Sequence, residues 1–196
     1  MPSVETLCQG YGARFGLAGR VGFEVRDGAA FLHLKGDGGE AAVSLQGAQV
    51  LSWRHGKFGE MLWWSSLSPV RPALPIRGGI PICWPWFGPH PTEAAWPQHG
   101  LVRTEIWEVV EAGFLEGEAR AALETQSAGA LLRLDVAVGE TLSLTLTTEP
   151  LEDQPLPLTE ALHTYFAVGD VGQVRVVGLD GYWYRDRTQN DAANIQ

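Results

Sequence analysis

The chain has 196 residues, 45% hydrophobic and 19% charged, a globular composition that excludes an intrinsically disordered chain. Its 23 acidic and 14 basic residues leave a formal net charge of −9, which argues against a general nucleic-acid surface, because that surface needs a basic stripe to release counterions. Cys8 and Cys83 are too few for a disulfide framework or a metal site of their own.

The N-terminus, Met1-Pro2-Ser3-Val4-Glu5, has neither a basic n-region nor an apolar h-region, and no stretch approaches the length of a membrane span. A cytoplasmic protein without a membrane partner is expected. Helical spacing of apolar residues is scarce and strand signals dominate. Gly22 to Arg26 and Ala29 to Leu34 read as a hairpin about Asp27-Gly28, a strong short-range turn signal. Ala41 to Leu45 and Gln49 to Arg54 follow, separated by Gln46-Gly47-Ala48. Glu105 to Glu111, Ala119 to Gln126, Leu131 to Val138 and Thr141 to Thr148 form a second series split by Gly or small polar residues. In the last pair Leu132, Leu134 and Val136 share one face, as do Leu142, Leu144 and Leu146. Ala161 to Val168 and Gln173 to Val177 close the series, and the tail from Arg187 to Gln196 is polar with no closing strand. Many short strands with turn chemistry between them predict an all-β sandwich or barrel, as one domain.

The segment from Ser65 to Gln98 breaks this rhythm. Its prolines, from Pro69 through Pro97, are too frequent for regular structure, and a long irregular stretch rich in Trp points to function. Arg77-Gly78-Gly79-Ile80-Pro81, Cys83-Trp84-Pro85-Trp86-Phe87-Gly88 and Gln98-His99-Gly100-Leu101-Val102-Arg103 thread polar groups among glycines, prolines and aromatics. Such a mixture suits a pocket for a polar, ring-shaped and anionic ligand. Arg77 and Arg103 read either as surface ion pairs or, beside their glycines, as anion-recognition residues. Trp63, Trp64 and Trp107 lie in strand-like runs and are expected in the core; Trp84, Trp86 and Trp96 flank the glycine-rich loop as candidates for stacking on a sugar.

Among the histidines, His33 and His55 read as surface residues and His90 as a loop residue. His99 is either a loop histidine bonded to nearby backbone or a pocket group beside Gly100. His163, within Leu162-His163-Thr164-Tyr165-Phe166, is either a satisfied core histidine or a catalytic one. The spacing of His and Cys offers no zinc ligand set, and no metal is expected.

These motifs, taken in order, resemble those of the hexose-6-phosphate mutarotases, the glucose-6-phosphate 1-epimerases of the aldose 1-epimerase superfamily. They are Arg77-Gly78-Gly79-Ile80-Pro81, Pro85-x-Phe87-Gly88, Gln98-His99-Gly100-x-x-Arg103 and Leu162-His163-Thr164-Tyr165-Phe166. Val176-Val177-Gly178-Leu179-Asp180-Gly181 and Tyr184-Arg185-Asp186 also resemble the segment that follows. The similarity covers most of Val21 to Asp186; Trp86 is a point of variation, where some members have Gln. The resemblance implies a β-supersandwich of the galactose-mutarotase type and a cofactor-free interconversion of the α and β anomers of a hexose 6-phosphate. It implies His163 as general acid to the ring oxygen, Arg77, Gln98 and Arg103 as ligands of the sugar phosphate, and His99 in support.

In that family the general base is a glutamate far downstream, which the resemblance places beyond Gln196. Glu160 lies three residues before His163, and strand alternation would send the two side chains to opposite faces. Residues 1–196 are therefore expected to be the N-terminal portion of the sandwich, with a C-terminal segment of the same protein as partner and with open edges and an apolar face without it. Two other readings stand beside the mutarotase: a non-catalytic sugar or sugar-phosphate binding module, and an aldose 1-epimerase acting on unphosphorylated sugars.

Overall fold

The computed structural model describes residues 3–68, 70–186, 189 and 192–195. Expectations that touch Met1, Pro2, Pro69, Arg187 and Gln196 lie outside the described residues. Two antiparallel meanders carry the fold. The first runs β1 (Val21–Arg26), β2 (Ala29–Lys35), β3 (Gly39–Ser44), β4 (Gln49–His55) and β5 (Gly59–Glu60), adjacent in that order. The second contains β7 (Glu108–Leu115), β8 (Glu118–Ser127), β9 (Ala130–Val138) and β10 (Leu142–Pro150), and here β10 and β7 are the edges. Arg26 pairs directly with Ala29, so Asp27-Gly28 is a two-residue turn with φ of 53° and 76°. Positive φ at both positions matches the right-handed twist of the flanking strands, and Gly adopts it without a steric penalty.

The inner faces of the two sheets make the core. Along β9 the side chains alternate as the sequence predicts: Leu132, Leu134 and Val136 are buried, and Leu142, Leu144 and Leu146 of β10 are partly buried against the same core. From the first sheet Leu32, Leu34, Val43 and Val50 join the same cluster. Each fully buried aliphatic side chain contributes about 1.5–3 kcal/mol over an exposed one, which makes this contiguous cluster the main source of stability.

One element escaped the strand-dominated reading. A helix α1, Val4–Phe15, is capped by Ser3, whose hydroxyl accepts from the Thr6 N–H at 3.2 Å. Gly10 and Gly12 lie inside it, each costing roughly 1 kcal/mol against Ala, and they blur its apolar periodicity. Tertiary packing makes up the deficit: Cys8 and Tyr11 are buried, and the helix lies against β1, β2 and β7. Tyr11 closes the contact, its ring 5.5 Å from that of Phe23 and its hydroxyl accepting from the Val109 N–H at 3.2 Å. Val109 sits where the β7–β8 register shifts, so its N–H depends on this partner. Replacing Tyr11 with Phe is expected to lower stability by about 1–3 kcal/mol, read by urea unfolding, because the buried N–H loses its acceptor.

Between the meanders runs an irregular segment with one short strand, β6 (Ile82–Cys83), which pairs with β11 (Ala161–Leu162). Past β11 the structure departs from expectation. Residues 163–168 form no continuous strand, although their backbone still docks on neighbouring segments. Residues 173–177 form none either; a 3-10 turn covers Val171–Gln173. A hairpin of β12 (Trp183–Asp186) and β13 (Ala192–Ile195) stands where no closing strand was expected. Large apolar side chains are exposed along this end, Phe166 by 68%, Val177 by 84% and Trp183 by 70%. Among the described residues no helix is long and apolar enough to cross a membrane.

Candidate active site

The site grows from backbone docking. The Tyr165 N–H donates to the Gly79 carbonyl at 2.8 Å, and the His163 N–H to the Pro81 carbonyl at 3.0 Å. The Thr159 N–H reaches the Pro85 carbonyl, and the Thr159 hydroxyl accepts from the Phe87 N–H at 3.2 Å. Residues 159–165 are thereby laid along residues 79–87. The third motif joins them at Trp84, whose carbonyl accepts from the Leu101 N–H at 2.8 Å. Here Gly100 has φ of 80°, and a Cβ on it would come within 1.8 Å of the Trp84 carbonyl oxygen; only glycine lets the strands meet.

This docking gathers the aromatic and imidazole rings. His99 and His163 stand 5.8 Å apart, centroid to centroid and nearly perpendicular. Phe87 touches both, at 5.0 Å from His99 and 5.7 Å from His163. On its other side His163 stacks on Tyr165 at 4.8 Å, and Tyr165 leans on Trp63 at 5.9 Å. His163 is half-buried. At this exposure His163 is not a fully buried core histidine. His99 has a positive φ of 68°, a conformation sparsely populated by residues other than Gly and found where a site over-determines the backbone. Its N–H donates to the Gly88 carbonyl at 2.7 Å, and its Nδ1 accepts from the Gly88 N–H at 3.2 Å. With Nδ1 an acceptor, neutral His99 carries its proton on Nε2. His99 is bonded to loop backbone, and its ring faces that of His163.

Arg103 lies within electrostatic reach of Tyr165 and of Arg77. Arg103 follows in a 3-10 turn, Val102–Thr104, and its Nη2 donates to the Ile76 carbonyl at 3.4 Å. Its Nε is buried without a hydrogen-bond partner. Burial holds the guanidinium below its ordinary value, and the like charge of Arg77 pushes the same way, while Cys83 and Tyr165 oppose. Arg103 stays ionised at neutral pH all the same. Arg77 itself is exposed, its N–H donating to the Ser68 hydroxyl at 3.0 Å. Two cations within electrostatic reach of each other, one of them partly desolvated, make a local positive potential in a chain of net charge −9. Cys83 lies on the buried side, where burial pushes its thiol up and the charge of Arg103 partly offsets that. Gln98 is exposed beside His99. Among the described residues no group of three or more His, Cys, Asp or Glu side chains is placed to hold a metal ion.

The tryptophans sort differently from expectation. Trp84 is fully buried, its Nε1 donating to the Thr148 hydroxyl at 3.1 Å, and Trp86 is buried with Nε1 donating to the Pro97 carbonyl. Neither offers a face to a sugar. Trp96 is half exposed and closes a cluster with Trp86 and His90, the rings 4.5–5.3 Å apart. Trp63, expected in the core, is exposed by 48% and belongs to the site wall instead. Phe87 and Tyr165 were legible as motif letters, but their contact with the histidines needed the docking of residues 159–165.

Two antiparallel sheets stacked over a common core, with the irregular segment between them, place the chain in the galactose-mutarotase class of β-sandwich. A galactose mutarotase-like protein from Clostridium acetobutylicum, 15% identical, shares the fold with a TM-score of 0.61 over 74% of this chain and 53% of its own. More particularly, residues 31–193 match the sequence model of the aldose 1-epimerase family, and the chain belongs to that family. A protein of Escherichia coli K12 named "Putative glucose-6-phosphate 1-epimerase" is 34% identical over 165 residues, 80% of this chain and 54% of the relative. A Salmonella typhimurium protein, crystallised as a "putative mutarotase", is 28% identical with a TM-score of 0.84, covering 93% of this chain and 63% of that one. The chain spans about half the length of the curated relatives it matches.

Proposed function

We propose that this chain carries the acid and phosphate-binding half of a hexose-6-phosphate mutarotase. The observation that carries the reading is the order of groups along one wall. His99 and His163 meet over Phe87, Tyr165 stacks on His163, and Arg103 lies within electrostatic reach of both Tyr165 and Arg77. A sugar ring over Phe87 would have its ring oxygen served by His163 and a hydroxyl served by the Nε2–H of His99. Its phosphate would lie toward Arg77 and Arg103, whose forked donors match phosphate oxygens. Gln98, exposed beside His99, is the further polar ligand that the resemblance suggests.

His163 delivers a proton to the ring oxygen as a base removes one from the anomeric hydroxyl. The ring opens, the C1–C2 bond rotates, and reclosure yields the other anomer. Acid and base act from opposite sides of the hemiacetal, and by resemblance the base is a glutamate beyond Gln196. A carboxylate-bearing C-terminal segment is therefore the polypeptide partner of this reading, and the chemistry requires no cofactor.

The test is anomer exchange of glucose 6-phosphate by NMR, with glucose alongside, in protein that carries the carboxylate base. Acceleration selective for the phosphorylated sugar is expected. Equal acceleration of both sugars would transfer the assignment to an epimerase of unphosphorylated sugars. Binding without acceleration would leave only a sugar-phosphate binding module.

A further inference from the structure

Gln49 is a buried amide in the first sheet, at the start of β4 and 1% exposed. Its Nε2 donates to the Gly78 carbonyl at 2.6 Å and to the Ile76 carbonyl at 3.3 Å. Two carbonyl acceptors fix the orientation of the amide, because the flipped form would set oxygen against oxygen. These carbonyls flank Arg77. The Ile76 carbonyl is also the one that accepts from Arg103 Nη2 at 3.4 Å. One side chain therefore holds the backbone on both sides of the first arginine and shares an acceptor with the second. Gln49 Oε1 is buried without a partner, so the amide acts here through its N–H groups alone, supplying donors to the two loop carbonyls. Gly78 and Gly79 follow Arg77 with φ of 111° and 64°. Backbone bonds from the Gly79 N–H to the Trp63 carbonyl at 2.7 Å and from the Ser65 N–H to the Arg77 carbonyl at 3.2 Å hold one side of this step. Gln49 is the side chain that holds the carbonyls before and after Arg77.

We propose that Gln49 is a positioning residue that sets the placement of Arg77 relative to Arg103, and through it the preference for phosphorylated over neutral sugars. This rests on the phosphate reading of the two arginines. Gln46 supplies the comparison. It is also buried, its Nε2 donating to the Leu74 carbonyl at 2.8 Å and its Oε1 accepting from the Ala73 N–H at 3.1 Å. It clamps the same loop upstream of Arg77 without touching the carbonyls beside it.

The experiment measures dissociation constants for glucose 6-phosphate and for glucose by NMR titration, in wild type, Gln49→Met, Gln49→Asn and Gln46→Met, with thermal melting of each. Gln49→Met keeps the length and removes the donor; it is expected to lower the ratio of phosphorylated to neutral affinity about tenfold, the loss typical of a hydrogen bond to or near a charged group. Neutral-sugar affinity should hold. Gln49→Asn, one carbon shorter and still polar, is expected to lower the ratio likewise and serves if the Met variant does not fold. Gln46→Met should lower the melting temperature and leave the ratio unchanged. A folded Gln49 variant with the wild-type ratio overturns the proposal, as does an equal fall for Gln46→Met, which would make this general loop integrity. A wild-type chain that shows no phosphate preference removes the underlying reading as well, a result distinct from either.

Discussion

In protein that carries the carboxylate base, replacing His163 with alanine is expected to slow anomer exchange of glucose 6-phosphate by about 10²–10⁴-fold, the range that a positioned general acid contributes. Binding should persist, because on the proposed reading the phosphate is held by Arg77 and Arg103. The two parameters separate for a structural reason. His163 is held by its backbone N–H to the Pro81 carbonyl and by contacts with Phe87, Tyr165 and His99. The backbone bond survives truncation and the ring contacts are lost with the imidazole, while Arg103 keeps its own anchor on the Ile76 carbonyl. An exchange rate unchanged in the alanine variant would remove His163 from the chemistry.

Truncating Arg103 is the second large effect, and its signature is selectivity. Arg103→Ala is expected to weaken glucose 6-phosphate about ten- to a hundredfold, as charge-assisted hydrogen bonds to phosphate are lost, with little change for glucose. The protein should tolerate it. The Ile76 carbonyl that accepts from Arg103 Nη2 keeps Gln49 Nε2 as a second donor, and the variant discards a guanidinium that burial already disfavours. Dissociation constants for both sugars in wild type and variant decide the matter. Equal losses for the two would show that Arg103 supports the pocket and does not read the phosphate.

Much of the fold was legible because its physics is local. Asp27-Gly28 between apolar runs forces a two-residue turn, and the alternation of Leu132, Leu134 and Val136 states which face is buried; both were found as read. Helix α1 was not legible, since Gly10 and Gly12 interrupt the apolar stripe and packing by Cys8 and Tyr11 supplies what propensity lacks. At the site, Arg77, Gln98, His99 and Arg103 could be singled out because glycine and proline around them mark special backbone, and His163 by its apolar and aromatic neighbours and the family resemblance of its motif. Their mutual arrangement could not, because residues 159–165 reach residues 79–87 only through hydrogen bonds between segments far apart in sequence. Gln49 was invisible for a related reason. It reads as the polar start of a strand, and its role appears only when the loop 27 and 29 residues away delivers two carbonyls to it. Trp84 and Trp86 erred in the other direction: proximity to the glycine-rich loop suggested stacking faces, but both rings are spent inside the core.

The most direct test of a hexose-phosphate site built by these residues is a titration of the 196-residue chain, followed through the ring proton signals of His99 and His163. Glucose 6-phosphate, glucose and inorganic phosphate are added separately. The predicted result is that glucose 6-phosphate shifts both histidine signals and binds at least about tenfold more tightly than glucose, with Arg103→Ala abolishing the difference. If glucose 6-phosphate leaves both rings undisturbed, or glucose shifts them with equal affinity, the histidine pair and the arginine pair do not serve one ligand and the account is wrong.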